Sequence, residues 1–388
     1  MQIKSIKYKQ FEGNEKFWNL QEVALGRINL LVGKNASGKS KTLNVINGLS
    51  LILGENKALQ FVEGDYEISF SKDKQTYDYI LKYHDLKVSE EKLFIDNKPL
   101  IERNGKGKGF IISANDNQHE FEIPLNEIKA NRRDISNYPF LEDLYFWANH
   151  VRKFDFSNTI SKGFLAIKDP TKKAAEYNLK NTDAGVIPTF TNGQKKHPET
   201  FKRKIITDFN NIGFKIDDIE LGSTASINFQ LIDNPNAEVN AIKVKERDLD
   251  CWTDQFDMSN GMFSALSIII HFNYYELEKI PGVVLIDDIG EGLDYERSTK
   301  LIELLISKVE SNSYMQLIMS TYDSFVMNSV DLKYWQIINR EGCIVKYYNQ
   351  GNSPKTFTDY KETGLNHFDF FASDFFKDGF SQTEKDQK

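Results

Sequence analysis

The chain of 388 residues has only two cysteines, Cys251 and Cys343, and they stand alone without metal-ligand spacing. That excludes a disulfide framework and a zinc site and predicts two reduced, buried thiols with no chemistry of their own. Long apolar runs are missing as well. No stretch approaches the roughly 18 consecutive apolar residues of a membrane span, and Met1-Gln2-Ile3-Lys4 lacks the apolar core of a secretory signal. The expected compartment is the cytoplasm, with no membrane partner. An excess of positive charge is also absent. At a net charge of −7, any nucleic acid has to be met by a local basic surface. Internal repeats and heptad runs do not occur. What the chain does have is 40% hydrophobic residues, ample for a sizeable core, and a length that allows about two or three domains.

The most informative stretch present is Gly33-Lys34-Asn35-Ala36-Ser37-Gly38-Lys39-Ser40. It follows an apolar strand pattern, Ile28 to Val32, and opens a helix that the spacing predicts from about Lys41 to Leu53. Phosphate binding needs this arrangement. Glycines let backbone N–H groups curl round a β-phosphate, Lys39 reaches the β/γ oxygens, and the Ser40 hydroxyl is placed to sit on Mg²⁺. A glycine-rich turn before a helix can be only a turn, but strand before, helix after and an intact Gly-Lys-Ser favour a nucleoside triphosphate held by residues 33 to 41.

Elsewhere, Ile3 to Tyr8 alternates as a half-buried strand does. From Glu67 to about Pro124, short alternating runs separated by Asn-Lys-Pro, Asn-Gly and Asn-Asp-Asn turn signals predict an antiparallel meander packed beside the nucleotide lobe. A helix is predicted from about Tyr138 to Val151. A looser region follows, from about Ser157 to Thr200, and across 162–204 Lys162, Lys168, Lys172, Lys173, Lys180, Lys195, Lys196, Lys202, Arg203 and Lys204 outnumber the acids. It reads either as a solvated insertion or as a phosphate-backbone surface for DNA, without the interleaved aromatics that base stacking requires. Predicted elements then run as helix 201–209, strands 214–221, 227–231 and 241–245, helix 261–279, a continuous apolar strand Val283-Val284-Leu285-Ile286, and alternating helix and strand to Asn339.

A phosphate loop needs an acidic partner for Mg²⁺ at a neighbouring strand end, and Asp287 stands where that partner is required. Asp288 beside it can polarise an attacking water. Taken alone, the pair also suits a helix cap or a turn. Met258-Ser259-Asn260-Gly261-Met262 opens the long helix ahead of this strand, and its N–H groups suit a γ-phosphate, though Ser259 suits a plain N-cap equally well.

The order of these motifs resembles the ABC-type ATPase heads of the RecF, SMC and OLD-like proteins, and within that group the bacterial stand-alone AAA family ATPases. Ile3 to Ile6 with Leu25 to Asn35 is similar to their opening. Ile286-Asp287-Asp288-Ile289-Gly290-Glu291-Gly292-Leu293-Asp294 is similar to their Walker B and D-loop, and Ser320 to Phe325 to their switch segment. The resemblance spans residue 1 to about 345. It implies an α/β fold of the P-loop NTPase type, an ABC-ATPase head with a parallel-sheet core, the antiparallel β meander and an inserted lysine-rich helical and loop region. The expected divisions are 1–66 with the Walker A loop, 67–137 the meander, 138–210 the insertion, 211–350 the second half of the ATPase core, and 351–388 an aromatic tail.

The resemblance also implies ATP and Mg²⁺ as cofactors and a homodimer with composite nucleotide sites. Lys39 and Ser40 then bind phosphate and Mg²⁺, Asp287 orients Mg²⁺, Ser259 and Gly261 contact the opposite nucleotide, and Asp294 lies at the D-loop. Three departures bear on turnover. The signature lacks its second glycine, Asp288 replaces the usual glutamate, and Tyr322 stands in the place of the switch histidine. Gln60 is a weak candidate for the Q-loop residue. Neither an SMC-type coiled coil nor the acidic nuclease domain of OLD proteins is present. The aromatic tail, Thr363 to Phe371 with Phe375 and Phe376, suits packing on its own domain or docking another subunit. The implied activity is an ATP-driven dimerising switch that controls DNA or a nuclease or toxin effector, in keeping with bacterial anti-phage systems. The alternative of another class is a nucleotide-bound scaffold or sensor with negligible hydrolysis. A transporter motor is disfavoured by the opening phrase and the weak signature.

Overall fold

Ile28-Asn29-Leu30-Leu31-Val32 has no residue facing solvent, a pattern that only an interior strand accommodates. The computed structural model describes residues 1–54, 59–156, 166–168, 185–224 and 238–382. In chain order the first elements are β1 (Gln2–Gln10), β2 (Trp18–Ala24), β3 (Ile28–Val32), α1 (Lys39–Leu53), β4 (Gly64–Lys72), β5 (Gln75–His84), β6 (Lys87–Ile95), β7 (Lys98–Arg103), β8 (Lys108–Ile112), β9 (Gln118–Glu122), α2 (Phe140–Asn149) and β10 (Val151–Asp155). Next come β11 (Ala166–Lys168), α3 (Val186–Lys196), α4 (Pro198–Asn211), β12 (Ile216–Ser223), β13 (Glu238–Glu246), β14 (Trp252–Asp254), α5 (Asn260–Glu278), β15 (Gly282–Asp287) and α6 (Tyr295–Ser311). The chain closes with β16 (Met315–Thr321), α7 (Ser324–Ser329), β17 (Trp335–Glu341), β18 (Ile344–Tyr348), α8 (Pro354–Lys361), α9 (His367–Ala372) and α10 (Phe375–Asp378).

The chain divides into two units. The first holds Met1–Arg152, Pro281–Leu285 and the described residues from Ser313 onward; the second holds those of Lys153–Ile280 and Ile286–Asn312. In the first, one sheet of 14 strands runs in the order β10-β15-β16-β3-β17-β18-β2-β1-β4-β5-β6-β7-β8-β9. β3 pairs parallel with β16 and β17, and β18 pairs parallel with β2. Through β2, β1 and β4 the hydrogen-bonded ladder continues into the antiparallel meander. The meander is thus an extension of the nucleotide sheet, where the sequence pattern had suggested a layer packed beside it. Its first three hairpins turn on two residues each, Asp73-Lys74, Asp85-Leu86 and Asp96-Asn97, all six with positive φ. Such turns match the twist of the flanking strands, and Asp and Asn tolerate that conformation best.

One buried ionic cluster ties this extension down. Glu91, wholly inaccessible, accepts from the Lys129 and Ala130 N–H groups at 2.6 and 2.8 Å and from the Tyr79 hydroxyl at 3.2 Å, with Arg103 at 3.6 Å. Burial raises the Glu91 pKa, and these donors oppose the rise.

In the second unit α5 is buried along nearly its whole length, from Gly261 to Tyr275. A helix apolar all round has to lie inside. It is covered by α3 and α4, whose Phe190 and Phe201 are buried. A Cβ on Gly193 would lie 2.4 Å from the Phe201 ring, so these two helices meet at glycine. Residues 186–196 are therefore helical and packed, where the lysine-rich composition had suggested a looser region, and the helix expected at 201–209 is α4, Pro198–Asn211. Lys162, Lys172, Lys173, Lys180 and the predicted strand 227–231 lie outside the described residues. Cys251 is exposed and Cys343 half-exposed, which corrects the expectation of buried thiols. Polar, turn-forming neighbours at Asp248 to Asp250 and Glu341-Gly342 hold both on surface segments. No helix among the described residues is long and apolar enough to cross a membrane.

Candidate functional site

The loop between β3 and α1 is shaped by its two glycines. A Cβ on Gly33 would stand 2.6 Å from Ser37 Oγ and 2.9 Å from the Ile338 carbonyl oxygen, so no side chain fits there. Gly38 has φ +111, and a Cβ added there would stand 3.3 Å from the Trp18 ring. Gly38 N-caps α1 with no side-chain acceptor, and the first turn carries no acid. The helix therefore presents N–H groups and the positive end of its dipole with no built-in anion, the arrangement that binds phosphate. The buried Lys39 ammonium folds back on the Gly33 carbonyl at 2.7 Å and the Lys34 carbonyl at 3.3 Å. Ser37 Oγ is buried with no hydrogen-bond partner among the described residues. Lys34, Asn35, Ala36 and Ser40 are exposed.

Lys41 lies 4.3 Å over the Trp18 ring. Burial, with the Arg340 charge second, lowers its pKa to about 8. Arg340, at the end of β17, donates to the Ala36 carbonyl at 3.4 Å. A cleft of about 240 Å³ opens here, lined by Lys34, Asn35, Ser37, Arg340, Phe371 and Phe376 among others. The aromatic tail thus packs on its own unit: Phe370 and Phe376 are buried, Phe376 meets Tyr348 edge-on at 5.1 Å, and Asp374 stands 3.9 Å from Lys34. Tyr322, between β16 and α7, is 49% exposed, and Gln60, between α1 and β4, is half-buried.

The remaining candidates belong to the second unit. Ser259 N-caps α5, its hydroxyl accepting from the Met262 N–H at 3.2 Å, which is the plain capping role. Gly261 presses on the D-loop segment, where an added Cβ would lie 2.3 Å from the Gly292 carbonyl oxygen. Asp294 caps α6 through the Arg297 N–H at 3.0 Å and pairs with the Arg297 guanidinium at 2.8 Å. That backbone hydrogen bond, then the guanidinium charge, lowers its pKa.

β15 is buried at all six positions and ends at Asp287, which is 4% exposed. Its carbonyl accepts from the Phe156 N–H at 3.2 Å, and its carboxylate faces the Lys153 ammonium at 3.7 Å. Asp288 has φ +50, a left-handed conformation that aspartate tolerates better than most side chains. A hard carboxylate oxygen is the donor type that a divalent cation such as Mg²⁺ takes, and here the Lys153 ammonium stands against it. No group of three or more His, Cys, Asp or Glu side chains gathers among the described residues, so a metal here would draw further ligands from phosphate or water. The sequence pattern missed Lys153, Asp155 and Arg340. The alternation Val151-Arg152-Lys153-Phe154-Asp155 was the available signal for the first two.

The family described as "AAA domain, putative AbiEii toxin, Type IV TA system" matches residues 28–328. No curated protein matches the sequence. Among solved structures, an SMC head bound to the C-winged helix domain of ScpA superposes with a TM-score of 0.53 at 13% identity, covering 89% of this chain and 97% of that one. An SMC head with an extended coiled coil, bound to the C-terminal domain of ScpA derived from Pyrococcus furiosus, gives 0.50 at 13% identity, covering 93% and 99%. At that identity the likeness carries the fold, an ABC-type P-loop ATPase head.

Proposed function

The chain belongs to this AAA-domain family, and from that premise we propose that it is an ATP-dependent switch with slow hydrolysis. The conformation of residues 33–41 carries the reading. An uncapped helix N-terminus, a left-handed Gly38 and a lysine folded onto its own loop carbonyls form an anion site built before any anion arrives. On binding, Lys39 exchanges two carbonyl contacts for phosphate oxygens. Ser40 on the phosphate loop and Asp287 at the end of β15 are the oxygen donors that would hold Mg²⁺, and the ion would supply neutralising charge to a triphosphate. Lys34 to Ser37 follow the phosphates, Lys41 adds a nearby charge, and Asp288 orients the attacking water.

Slow turnover follows from two residues. The Asp288 carboxylate is one methylene short of glutamate and hangs from a left-handed backbone. Tyr322 is a phenol, without the basic ring nitrogen of the histidine it replaces. The second reading, a nucleotide-bound scaffold or sensor, rests on those same two observations.

A second copy is read as completing each site, through Ser259 and Gly261 with Asp294 at the D-loop. The object controlled is an effector protein or DNA. DNA is the less supported of the two, because Lys202 pairs with Asp218 at 2.5 Å, Lys204 with Glu276 at 3.2 Å, and Lys196 with Glu278. An SMC head of this fold has been solved with a winged-helix domain of ScpA, and a protein partner for this chain is in keeping with that. A role in anti-phage defence belongs to the same proposal.

The test is ATP binding and turnover by the full chain. Lys39→Ala removes charge-assisted hydrogen bonds worth about 1.5–3 kcal/mol and should weaken ATP binding at least about tenfold. Equal binding by both proteins would refute the phosphate-loop reading. Turnover in the wild type no faster than in Asp288→Ala would replace the enzyme with the scaffold.

A further inference from the structure

Lys153 sits on β10 with its side chain 15% exposed, and its ammonium lies 3.8 Å from Asp155 Oδ2 and 3.7 Å from Asp287 Oδ2. The Phe156 N–H bond to the Asp287 carbonyl ties the ends of β10 and β15 together, so the two carboxylates and the lysine are held by neighbouring strand ends. Both separations exceed hydrogen-bonding distance. The ammonium is balanced between two carboxylates by Coulomb attraction and is docked on neither. Lysine suits such a post, being a compact charge on a flexible stem that can swing away when a stronger cation arrives.

We propose that Lys153 is a positioning residue, a built-in counter-ion that holds Asp287 and Asp155 in the nucleotide-free protein and that the divalent cation must displace. This rests on the reading of Asp287 as the cation's protein ligand. Two consequences separate it from an ordinary structural ion pair. Removing the lysine charge raises cation affinity, because a competitor is gone. Keeping the charge as arginine leaves affinity near that of the wild type. A structural pair predicts the reverse of the first, since loss of the lysine would remove a contact that helps to order the carboxylates. A lysine that instead bound phosphate would lower nucleotide affinity when removed.

The experiment titrates Mn²⁺ into the full chain saturated with a non-hydrolysable ATP analogue and follows free Mn²⁺ by electron paramagnetic resonance. Binding of the analogue in EDTA is measured alongside. Lys153→Met keeps the stem and should tighten Mn²⁺ binding by about tenfold, the scale of one removed unit charge at this separation after solvent screening. Lys153→Gln carries the same expectation should the methionine variant fold poorly, and Lys153→Arg should stay within about threefold of the wild type. Mn²⁺ binding in Lys153→Met and Lys153→Gln that is unchanged or weaker overturns the proposal. If no variant binds Mn²⁺, the proposal falls together with the role of Asp287. Analogue binding in EDTA then shows whether the phosphate loop survives on its own.

Discussion

Gly261→Ala tests the junction between the N-terminus of α5 and the D-loop segment. The new methyl would stand 2.3 Å from the Gly292 carbonyl oxygen, 2.6 Å from its carbonyl carbon and 2.9 Å from Leu293 Cδ2. A comfortable carbon–oxygen contact is about 3.3 Å, so the two backbones must separate by about 1 Å. Neither can rotate aside. Gly292 is held at φ +76, in a segment braced by Leu293 N–H to the Gly290 carbonyl at 3.0 Å and Glu291 N–H to the Asp288 carbonyl at 3.2 Å. Overpacking of this kind costs about 1–3 kcal/mol, and the rigid obstacle puts it at about 2 kcal/mol or above. In local-opening terms that is about a thirtyfold faster amide exchange at the start of α5 and in residues 289–293. Hydrogen exchange read by mass spectrometry measures both segments. The control is Gly105→Ala, whose methyl would meet the Ser89 carbonyl oxygen at an ordinary 3.4 Å and should change stability by less than about 0.5 kcal/mol. Should Gly261→Ala exchange within about threefold of the wild type, the steric reasoning is wrong. Turnover should also fall, since displacements of about 1 Å near a reacting centre cost about a hundredfold.

Two further outcomes are expected. Lys41, held at a pKa of about 8 by burial and Arg340, gains from an arriving polyanion, so ATP affinity should fall by up to about tenfold per pH unit above 8; Lys41→Met should abolish that slope. Stability runs the other way. Its folded value lies below the usual 10.5, the unfolded chain binds more protons between about pH 8 and 10.5, and the Lys41 contribution therefore rises with pH across that window in a urea titration. For DNA, the pairing of Lys196, Lys202 and Lys204 with carboxylates leaves Lys195 and Arg203 as the main contributors among the described positions. Neutralising all five cations from 195 to 204 should then reduce the log–log salt slope by no more than about 2, and a reduction near 5 would overturn that account.

The strand, loop and helix from Ile28 to Leu53 were legible because each carries a local signal: an unbroken apolar run, glycines at fixed offsets and then helical spacing. The same holds for the buried strand ending at Asp287 and for the Ser259 cap. The meander's sharpest turns were not legible, because Lys74 and Leu86 adopt left-handed backbone that their residue types do not announce. Its continuity with the nucleotide sheet depends on Ile344 and Val345 meeting Asn19 and Leu20, a pairing between opposite ends of the chain. The helix at 186–196 was hidden by composition, while the one at 201–209 was legible. Val186, Ile187, Phe190, Phe201, Ile205 and Phe209 form the buried faces, but lysines dominate the surface between them. Lys153 escaped because its meaning lies in Asp287, far along the chain.

The two units share one electrostatic device. In the first, the Lys39 ammonium rests on the carbonyls of its own loop; in the second, the Lys153 ammonium rests between two carboxylates. Each internal contact costs the arriving ligand its displacement energy, so neither phosphate nor cation binds as tightly as the bare site would allow. What is gained is a site that stays ordered without ligand, since an unpaired buried charge would be far more costly than a paired one. The consequence for the two functional readings is specific. On the proposed reading both displacements fall on binding and neither falls on the chemical step, so they would lower nucleotide and cation affinity and leave the rate at saturation to Asp288 and Tyr322. The proposed switch would then respond to ATP through occupancy and need turnover only to reset.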